Sequence, residues 1–368
     1  MWIILKEEIY KIKSRKIIWL SLCLLLAFST LRLYNELHYY TTFVDGKTYH
    51  GMDALRKDQA LTGRYAGLLT KDKVSQIYKE YGFFYFDAET GNAAANYPSR
   101  FITEAFTNFM QTDGNNPDEI HFRKGADWEN NAAYLLDKDV RFDYIYGWND
   151  FAEMYILVIL SVFAILILGL SPIFAEEYQL KTADLLRTTR RGKGNGIRIK
   201  ILAALCFAVV LTCMACAYMW GIYLIVYGTQ GLDASAVLLN FTTPFGYCPE
   251  SVLGFFLYIT FLSIVSAVLL TGIAAGISAL CQSPFLALIL SLAAYLFPVV
   301  WIKILWTLLP VGRKISRAIS HFMASMPVYL PMSTGFSFPA DHMAVHVCIA
   351  LAVGAGSMFF GYYRYRNH

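Results

Sequence analysis

The chain contains few groups of side chains whose types and spacing could perform chemistry. It has no P-loop to hold nucleotide phosphates, and no HExxH or GxSxG segment. Cys213 and Cys216 have the offset of metal ligands, but they lie in an apolar run, where free cysteine usually packs as a small hydrophobic side chain. Asp341, His342 and His346 have no additional ligand nearby in the sequence. We therefore expect no catalytic residue, no metal and no cofactor, and so not an enzyme.

The charged segment 176–200 is the polar stretch with the clearest internal order. Glu176 and Glu177 follow an apolar run, Leu185 and Leu186 belong to a short amphipathic pattern, and Lys200 opens the next apolar run. The hydroxyl and basic residues that follow the leucines are Thr188, Thr189, Arg190 and Arg191. This order predicts a short helix and then a basic turn. A solvated loop that obeys the positive-inside bias is the alternative, although that bias does not account for the paired leucines.

Composition places this segment between membrane spans. The 368 residues are 57% hydrophobic and only 16% charged, with a mean hydropathy of +0.44, which is too apolar for one soluble core. The formal net charge of +4 is modest and gives no reason to expect nucleic acid as a partner. The chain is therefore predicted to be an all-α polytopic membrane protein whose helices contact lipid.

Six apolar runs approach or exceed the length needed to cross a bilayer, about 20 residues. The predicted spans are 17–33, 151–175, 201–227, 251–280, 285–309 and 343–363. The first run is short, but the side chains of Lys16 and Arg32 can extend from its two ends to the membrane surfaces. A cleaved signal peptide is the competing interpretation, and it fits poorly because no small-residue cleavage site follows the run.

Residues 34–150 form the one long polar stretch, and we expect them to fold as a mainly helical extracellular domain inserted between the first two spans. Within this stretch, Thr70 and Gly82 fit the start and the end of one helix. The stretch has no cysteine and many aromatic residues. These aromatics are predicted to furnish the core of the domain, and a binding surface for an apolar substrate or peptide is the alternative.

Lysine and arginine in the short connections give the predicted orientation. They are frequent in 1–16 and in 176–200, which we therefore assign to the cytoplasm, and the arginines after the last span agree. The chain is thus expected in the cell membrane with both termini cytoplasmic. Residues 1–16 form either an interfacial helix or a charged flank. The connection 310–341 should be external, yet it holds three basic residues, so we expect a partly re-entrant or interfacial helix there.

Gly272 and Gly276 form a small-xxx-small pair in the fourth predicted span, with Ala275 and Ala279 beside them. Such pairs let the backbones of two helices approach closely. The neighbouring helix is either another span of the same chain or a span of a second copy. The pair therefore marks helix packing or a dimer seam.

The order of residues in 176–200 resembles the coupling segment of ABC type 2 transporter permeases. In that family the second of six spans typically runs into a glutamate, a Leu-Leu-Thr/Ser-Thr element, a basic turn and a lysine that opens the third span. The residues at these positions are Glu176 or Glu177, Leu185, Leu186, Thr188, Thr189, Arg190, Arg191 and Lys200. The simplest members have a short connection between the first two spans, whereas permeases that look like bacterial peptide or drug exporters have a larger outer domain there.

The resemblance implies a permease subunit that contacts a separate ABC ATPase chain through the segment after its second span. Only that partner would bind ATP, and its closure on ATP would move the spans of the permease. A second permease copy or a paralogue is implied as a further partner, since six spans make half of such a transporter. The resemblance also favours export.

Two other classes of protein stay open. A membrane-anchored sensor or immunity protein would bind a ligand with its extracellular domain and would have no ATPase partner. A membrane enzyme would need a catalytic cluster near the bilayer, and the sequence contains no such cluster. Lipid-like compounds, peptides and ions all remain as substrates.

Overall fold

The computed structural model describes residues 2–86, 95–137, 139–188, 192–239, 251–305, 313–335 and 343–367. In this part of the chain, six helices are long and apolar enough to cross a membrane. The strands described there form two small antiparallel sheets of two strands each. The prediction of a mainly helical, multi-pass membrane protein is therefore confirmed.

The fold begins with two helices, continues through a region of short helices and strands, and ends in a run of helices. The first two helices are α1 (Trp2–Lys13) and α2 (Lys16–Tyr39). Then come β1 (Thr41–Val44), β2 (Lys47–His50), α3 (Gly51–Gly63), β3 (Gly67–Leu68), α4 (Lys71–Tyr81), α5 (Tyr97–Phe106), α6 (Gly125–Asn131), α7 (Ala133–Asp137) and β4 (Arg141–Phe142). The remaining helices are α8 (Tyr146–Leu170), α9 (Pro172–Gln179), α10 (Ala183–Thr188), α11 (Ile197–Tyr227), α12 (Val252–Leu280), α13 (Pro284–Val300), α14 (Arg313–Ala324) and α15 (Met343–Asn367).

The helix bundle has an inserted region at one end and a pair of short helices at the other end. Residues 40–145, between α2 and α8, are the insert, and α9, α10 and the turn between them are the elbow. At the elbow end of the bundle, Arg15 before α2 contacts Glu176 of α9, and the last turns of α15 also reach α9. At the opposite end, the insert end, Arg32 of α2 contacts Asp150 near the start of α8. The first two spans therefore run in opposite directions, and α1 and the end of α15 both lie at the elbow end.

The helices α8 and α12 form the centre of the bundle. α12 and the part of α8 that follows Glu153 are apolar on all faces, and side chains such as Phe151, Val158 and Phe256 are buried among the other spans. In contrast, α2 and α15 leave large apolar side chains exposed, including Leu24 and Phe359. Lipid tails are as apolar as these side chains, so exposed positions of this kind suit contact with hydrocarbon.

Several helices extend past the predicted limits of the spans. α2 continues from the predicted end at 33 to Tyr39, and α9 continues past 175 to Gln179. α11 begins at Ile197, before the predicted start at 201. Charged residues mark the edge of an apolar run, but they do not end a helix, because their long side chains reach water from its last turns. The regular helix α13 ends before 309, and residues 306–309 lie outside the described part of the chain.

Gly272 and Gly276 lie where α12 crosses α15 of the same chain. A Cβ added at Gly272 would come within 2.4 Å of the carbonyl oxygen of Gly354. A Cβ added at Gly276 would come within 3.1 Å of the carbonyl oxygen of Ser357. The absence of side chains at these two positions therefore lets the fourth and sixth spans meet backbone to backbone.

We expect Gly272→Ala to destabilise the protein by about 1–3 kcal/mol, because the new methyl group forces the two backbones apart. Gly356→Ala on α15 is the matched control, since a Cβ there meets nothing within 4 Å. The control should be neutral or slightly stabilising, as alanine is the better helix former. Thermal unfolding in detergent measures both variants, and equal stability of the two would contradict close packing at Gly272.

The insert has its own core between α4 and α5. Ile77, Ile102 and Phe106 are buried together there, and further aromatic rings pack around them or in a second small cluster. α4 follows the capping residue Thr70 and ends before Gly82, as the sequence predicts. The buried rings therefore act as core side chains of the insert, which has no disulfide bond among its described residues.

A buried carboxylate joins several parts of the insert directly after the end of the first span. Asp58 of α3 accepts hydrogen bonds from the Tyr40 hydroxyl at 2.6 Å, the Thr42 hydroxyl at 2.7 Å and the Tyr97 N–H at 3.0 Å. The Tyr144 hydroxyl in turn donates to the Tyr40 oxygen at 3.1 Å. Burial raises the pKa of the Asp58 carboxyl above its ordinary value, against the opposing effect of these hydrogen bonds. One side chain thus holds the end of the first span and three parts of the insert together.

The described part of 310–341 consists of α14 and a buried stretch that follows it. Residues from Met323 to Leu330 are buried. Leu330 packs in one cluster with Leu262 of α12 and Ala350 of α15. Chain outside regular helices is tolerated between membrane spans only where protein covers it. Residues 310–312 and 336–341 lie outside the described part of the chain.

Candidate functional site

The elbow follows the second span directly and is anchored to α12. Its first helix begins at Pro172, whose missing N–H is not needed in a first helical turn. The N–H groups of Phe174 and Ala175 both donate to the Ser278 hydroxyl of α12, at 3.0 and 3.1 Å. After α9, Lys181 adopts a left-handed backbone conformation with φ +55°, which redirects the chain into α10. The elbow is therefore an ordered pair of helices that is fixed to the bundle, and not an open loop.

Glu177 is the buried centre of the elbow. Its carboxylate forms an ion pair with Lys200 of α11, and the side chains of the two residues are only 10% and 8% exposed. The Tyr365 hydroxyl of α15 donates to the second carboxylate oxygen. The Lys200 ammonium also lies 6.0 Å from the ring centroid of Phe174 and 5.9 Å from that of Tyr365. A single carboxylate thus fastens the elbow to the third and sixth spans.

Glu176 points to the other side and contacts the N-terminal part of the chain. Its carboxylate accepts a hydrogen bond from the Arg15 guanidinium at 2.5 Å, and Arg15 also donates to the carbonyl oxygen of Gly169 at 3.0 Å. Gly169 lies in the last turn of α8, where unpaired carbonyls attract a cation. Arg15 therefore bridges the break between α8 and α9. α1, which precedes it, lies against α11.

The second helix of the elbow presents apolar side chains to the surroundings. Leu185 is 70% exposed and Leu186 is 39% exposed, and Leu180 in the turn before them is exposed as well. Ala183 on the same helix is buried against Phe174 and its neighbours, which fixes the helix to the bundle. Exposed leucines next to each other on an anchored helix are a feature of surfaces that contact another protein or a membrane.

The sequence-predicted residues of the segment thus fall into three groups. Glu176 and Glu177 hold the elbow in place, and Leu185 and Leu186 are available at its surface. Thr188 is exposed, and its hydroxyl donates to the Leu185 carbonyl oxygen at 2.8 Å, so it caps the end of α10. Thr189, Arg190 and Arg191 lie outside the described residues.

Three residues of this site are missed by reasoning from the sequence alone. In the sequence, Arg15 is one of several basic residues before the first span, and Tyr365 is an aromatic residue after the last span. Ser278 reads as a small residue of a span. Ser278 alone gives a local signal, since it is polar within an apolar run. The contacts of all three residues join positions that are distant in sequence, so no nearby pattern indicates them.

No metal centre accompanies these residues in the described part of the chain, where no group of three or more His, Cys, Asp or Glu side chains could hold a metal ion. In the elbow, Glu177 forms a buried ion pair with Lys200, and Glu176 forms a half-exposed ion pair with Arg15. This arrangement can hold helices together and offer a docking surface.

Comparison with protein-family models, with curated proteins and with solved structures gives no match for the chain.

Proposed function

We propose that this chain is the membrane-spanning permease subunit of an ATP-binding-cassette transporter that works with a separate ATPase chain. The observation that supports the proposal most directly is the elbow: an anchored helix that exposes Leu185 and Leu186. Such a surface fits a groove on a partner protein. The likeness of segment 176–200 to the coupling segment of type 2 permeases agrees with this use of the elbow.

In the proposed transporter, the elbow end faces the cytoplasm and the insert is extracellular. The described basic residues of 1–16 and 176–200 lie at the elbow end, which the positive-inside bias assigns to the cytoplasm. An ATPase bound there would be on the side of the membrane that contains ATP. The cell membrane is the proposed location, with both termini cytoplasmic.

The connections of the elbow explain how movement of an ATPase would reach the spans. A push on α10 is transmitted through Ala183 and α9 to Glu177, and from there through Lys200 to α11 and through Tyr365 to α15. The third and the sixth spans are thereby connected to one docking helix. Six spans make half of a transporter of this kind, so we propose a second permease copy or a paralogue as a partner, and export as the direction of transport.

Affinity purification of the tagged chain in mild detergent tests the proposal. We expect a P-loop ATPase to co-purify with the wild type and to be reduced at least about tenfold with Leu185→Asp plus Leu186→Asp. Two carboxylates placed in an apolar contact remain unpaired and must lose their water. The free energy that this costs is far larger than the free energy that corresponds to a tenfold change in affinity.

A matched control introduces the same charges elsewhere. Leu68→Asp plus Met110→Asp changes two exposed apolar residues of the insert, at the opposite end of the bundle. This variant should retain the ATPase. If no ATPase co-purifies with the wild type in several detergents, the transporter proposal is wrong.

The second candidate is a membrane-anchored sensor or immunity protein with a ligand-binding extracellular domain. A cavity between the insert and the spans supports this candidate. It predicts ligand binding by the insert and no ATPase on the elbow, so the same purification separates the two candidates.

A further inference from the structure

A cavity of about 590 Å³ lies between the insert and the ends of α2 and α8 that face it. Cavities that bind small organic ligands usually measure roughly 300–1,000 Å³, so this one has room for such a ligand. Side chains of the two spans form its floor, side chains of the insert form its roof and most of its walls, and residues 237–239 complete the lining. The cavity lies at the far end of the bundle from the elbow and shares no residue with it.

The floor of the cavity carries more negative than positive charge. Arg32 is the one cation among the described residues of the floor, while Glu36, Asp150 and Glu153 are carboxylates. Arg32 lies 3.4 Å from both Asp150 and Glu153, which is long for an ion pair. Asp150 also accepts a hydrogen bond from the Tyr223 hydroxyl at 2.5 Å. Glu36 makes no ion pair or side-chain hydrogen bond with any described residue.

The roof adds no net charge to balance the floor. Arg100 pairs with Glu104 at 2.8 Å, and Arg123 pairs with Asp127 at 3.2 Å. Each of these arginines is therefore neutralised by a carboxylate on its own helix or next to it. The positive charge of the roof is not available to an anion, and the negative charge of the floor is not compensated from above.

The walls of the cavity are aromatic. The rings of Tyr97, Phe101, Tyr134 and Tyr146 line it together with the charged groups. Aromatic faces attract cations, and they also provide apolar surface for the body of an organic molecule. A hydrated metal ion would use the carboxylates but would gain little from these rings, because it keeps its water shell and has no apolar body to pack against them. The combination therefore selects for an organic cation over an inorganic one.

We propose that this cavity binds a water-borne organic cation, with an ammonium or guanidinium group over the floor and an aromatic or aliphatic body against the walls. The Glu36 carboxylate contacts the charged group of the ligand. The ligand cation then lies close to Arg32, whose positive charge opposes it. This site goes beyond the proposed transport function, because binding requires neither ATP nor a partner chain.

The test uses the purified full chain in nanodiscs of phosphatidylcholine, without ATP. The probe is the fluorescent cation tetramethylrosamine, and the comparison dye is fluorescein, an anion with the same three-ring body. Fluorescence anisotropy measures the dissociation constant of each. We expect saturable binding of the cation, weakened by added salt, and at least tenfold weaker binding of the anion.

Variants that change charge in opposite directions make the test specific. Glu36→Gln should weaken binding of the cation about fivefold, and Arg32→Gln should tighten it about threefold, as expected for contacts of partly exposed charges. Glu129→Gln is the matched control, because it removes an exposed carboxylate of the insert that does not line the cavity. The control should bind like the wild type, and size-exclusion chromatography verifies that each variant is folded.

Three outcomes would overturn the proposal. The first is equal binding of the two dyes, and the second is a change of the same size in Glu36→Gln and Glu129→Gln. The third is a tenfold loss of dye binding when phosphatidylethanolamine replaces phosphatidylcholine, which would identify a lipid headgroup as the occupant. Because no ATPase is present, failure of this test leaves the transport proposal unaffected, and success does not depend on it.

Discussion

Replacing Lys200 with methionine is expected to lower the free energy of unfolding by about 3–5 kcal/mol. The substitution removes the cation but leaves the Glu177 carboxylate in a nearly fully buried site. Among the described residues, the Tyr365 hydroxyl then remains as its one side-chain hydrogen-bond partner from another span. Titration with SDS in mixed micelles, followed by tryptophan fluorescence, measures the change.

Two further variants distinguish a lost ion pair from a general packing defect. Glu177→Met combined with Lys200→Met removes both charges, and we expect this variant to regain roughly half of the loss or more, since apolar side chains of similar size replace buried ion pairs at little cost. Glu176→Gln changes the half-exposed neighbouring carboxylate and should cost less than about 1 kcal/mol. Equal instability of the single and the double variant at Lys200 would contradict an uncompensated charge as the cause.

Asp58→Ala is expected to destabilise the protein by about 3 kcal/mol or more. The substitution leaves the Tyr40 hydroxyl, the Thr42 hydroxyl and the Tyr97 N–H without the acceptor that they share, and each buried donor without a partner costs about 1–3 kcal/mol. Because these donors belong to the joint between the insert and the first span, protease sensitivity of the insert should rise together with the loss of stability. Limited proteolysis and SDS titration measure the two effects.

Asp58→Asn is the conservative control, and it adds a dependence on pH. Asparagine keeps an acceptor oxygen, so its cost should be smaller than that of alanine. In the wild type, the folded protein binds a proton on Asp58 at a higher pH than the unfolded chain, where aspartate has a pKa of about 3.9. As the pH falls from 7 towards about 4, the wild type should therefore gain stability relative to Asp58→Asn. A constant difference between the two over this range would contradict a raised pKa of Asp58.

The locations of the spans are predictable because one strong signal, a long apolar run, is sufficient for each of them. A charge-free run of about 20 residues or more is long enough to cross the membrane. α12 contains such a run, and another begins after Glu153 of α8 and continues into α9. The ends of the helices are less predictable. α2 continues through Arg32 to Tyr39, since the polar residues there are compatible both with helix and with a surface turn.

The site at the elbow is predictable only in outline. The sequence indicates two adjacent carboxylates, but the helical phase set by Pro172 decides that Glu177 faces the bundle while Glu176 faces Arg15. The Tyr365 contact joins residues 188 positions apart, and no local pattern encodes such a distance. Asp58 shows the same limit, because an aspartate in a polar helix normally indicates a solvated face.

The unbroken helix α2 makes the first span a lever between two joints. It contains 24 residues and is therefore about 36 Å long. Arg15 at one end is held by the elbow, and Tyr40 just past the other end is held by Asp58. A tilt of about 5° around Arg15 would move Tyr40 by about 3 Å, since a stiff rod converts an angle into a displacement in proportion to its length. The membrane-facing end of the insert would then move in response to a motion that began at the elbow end, on the opposite side of the membrane.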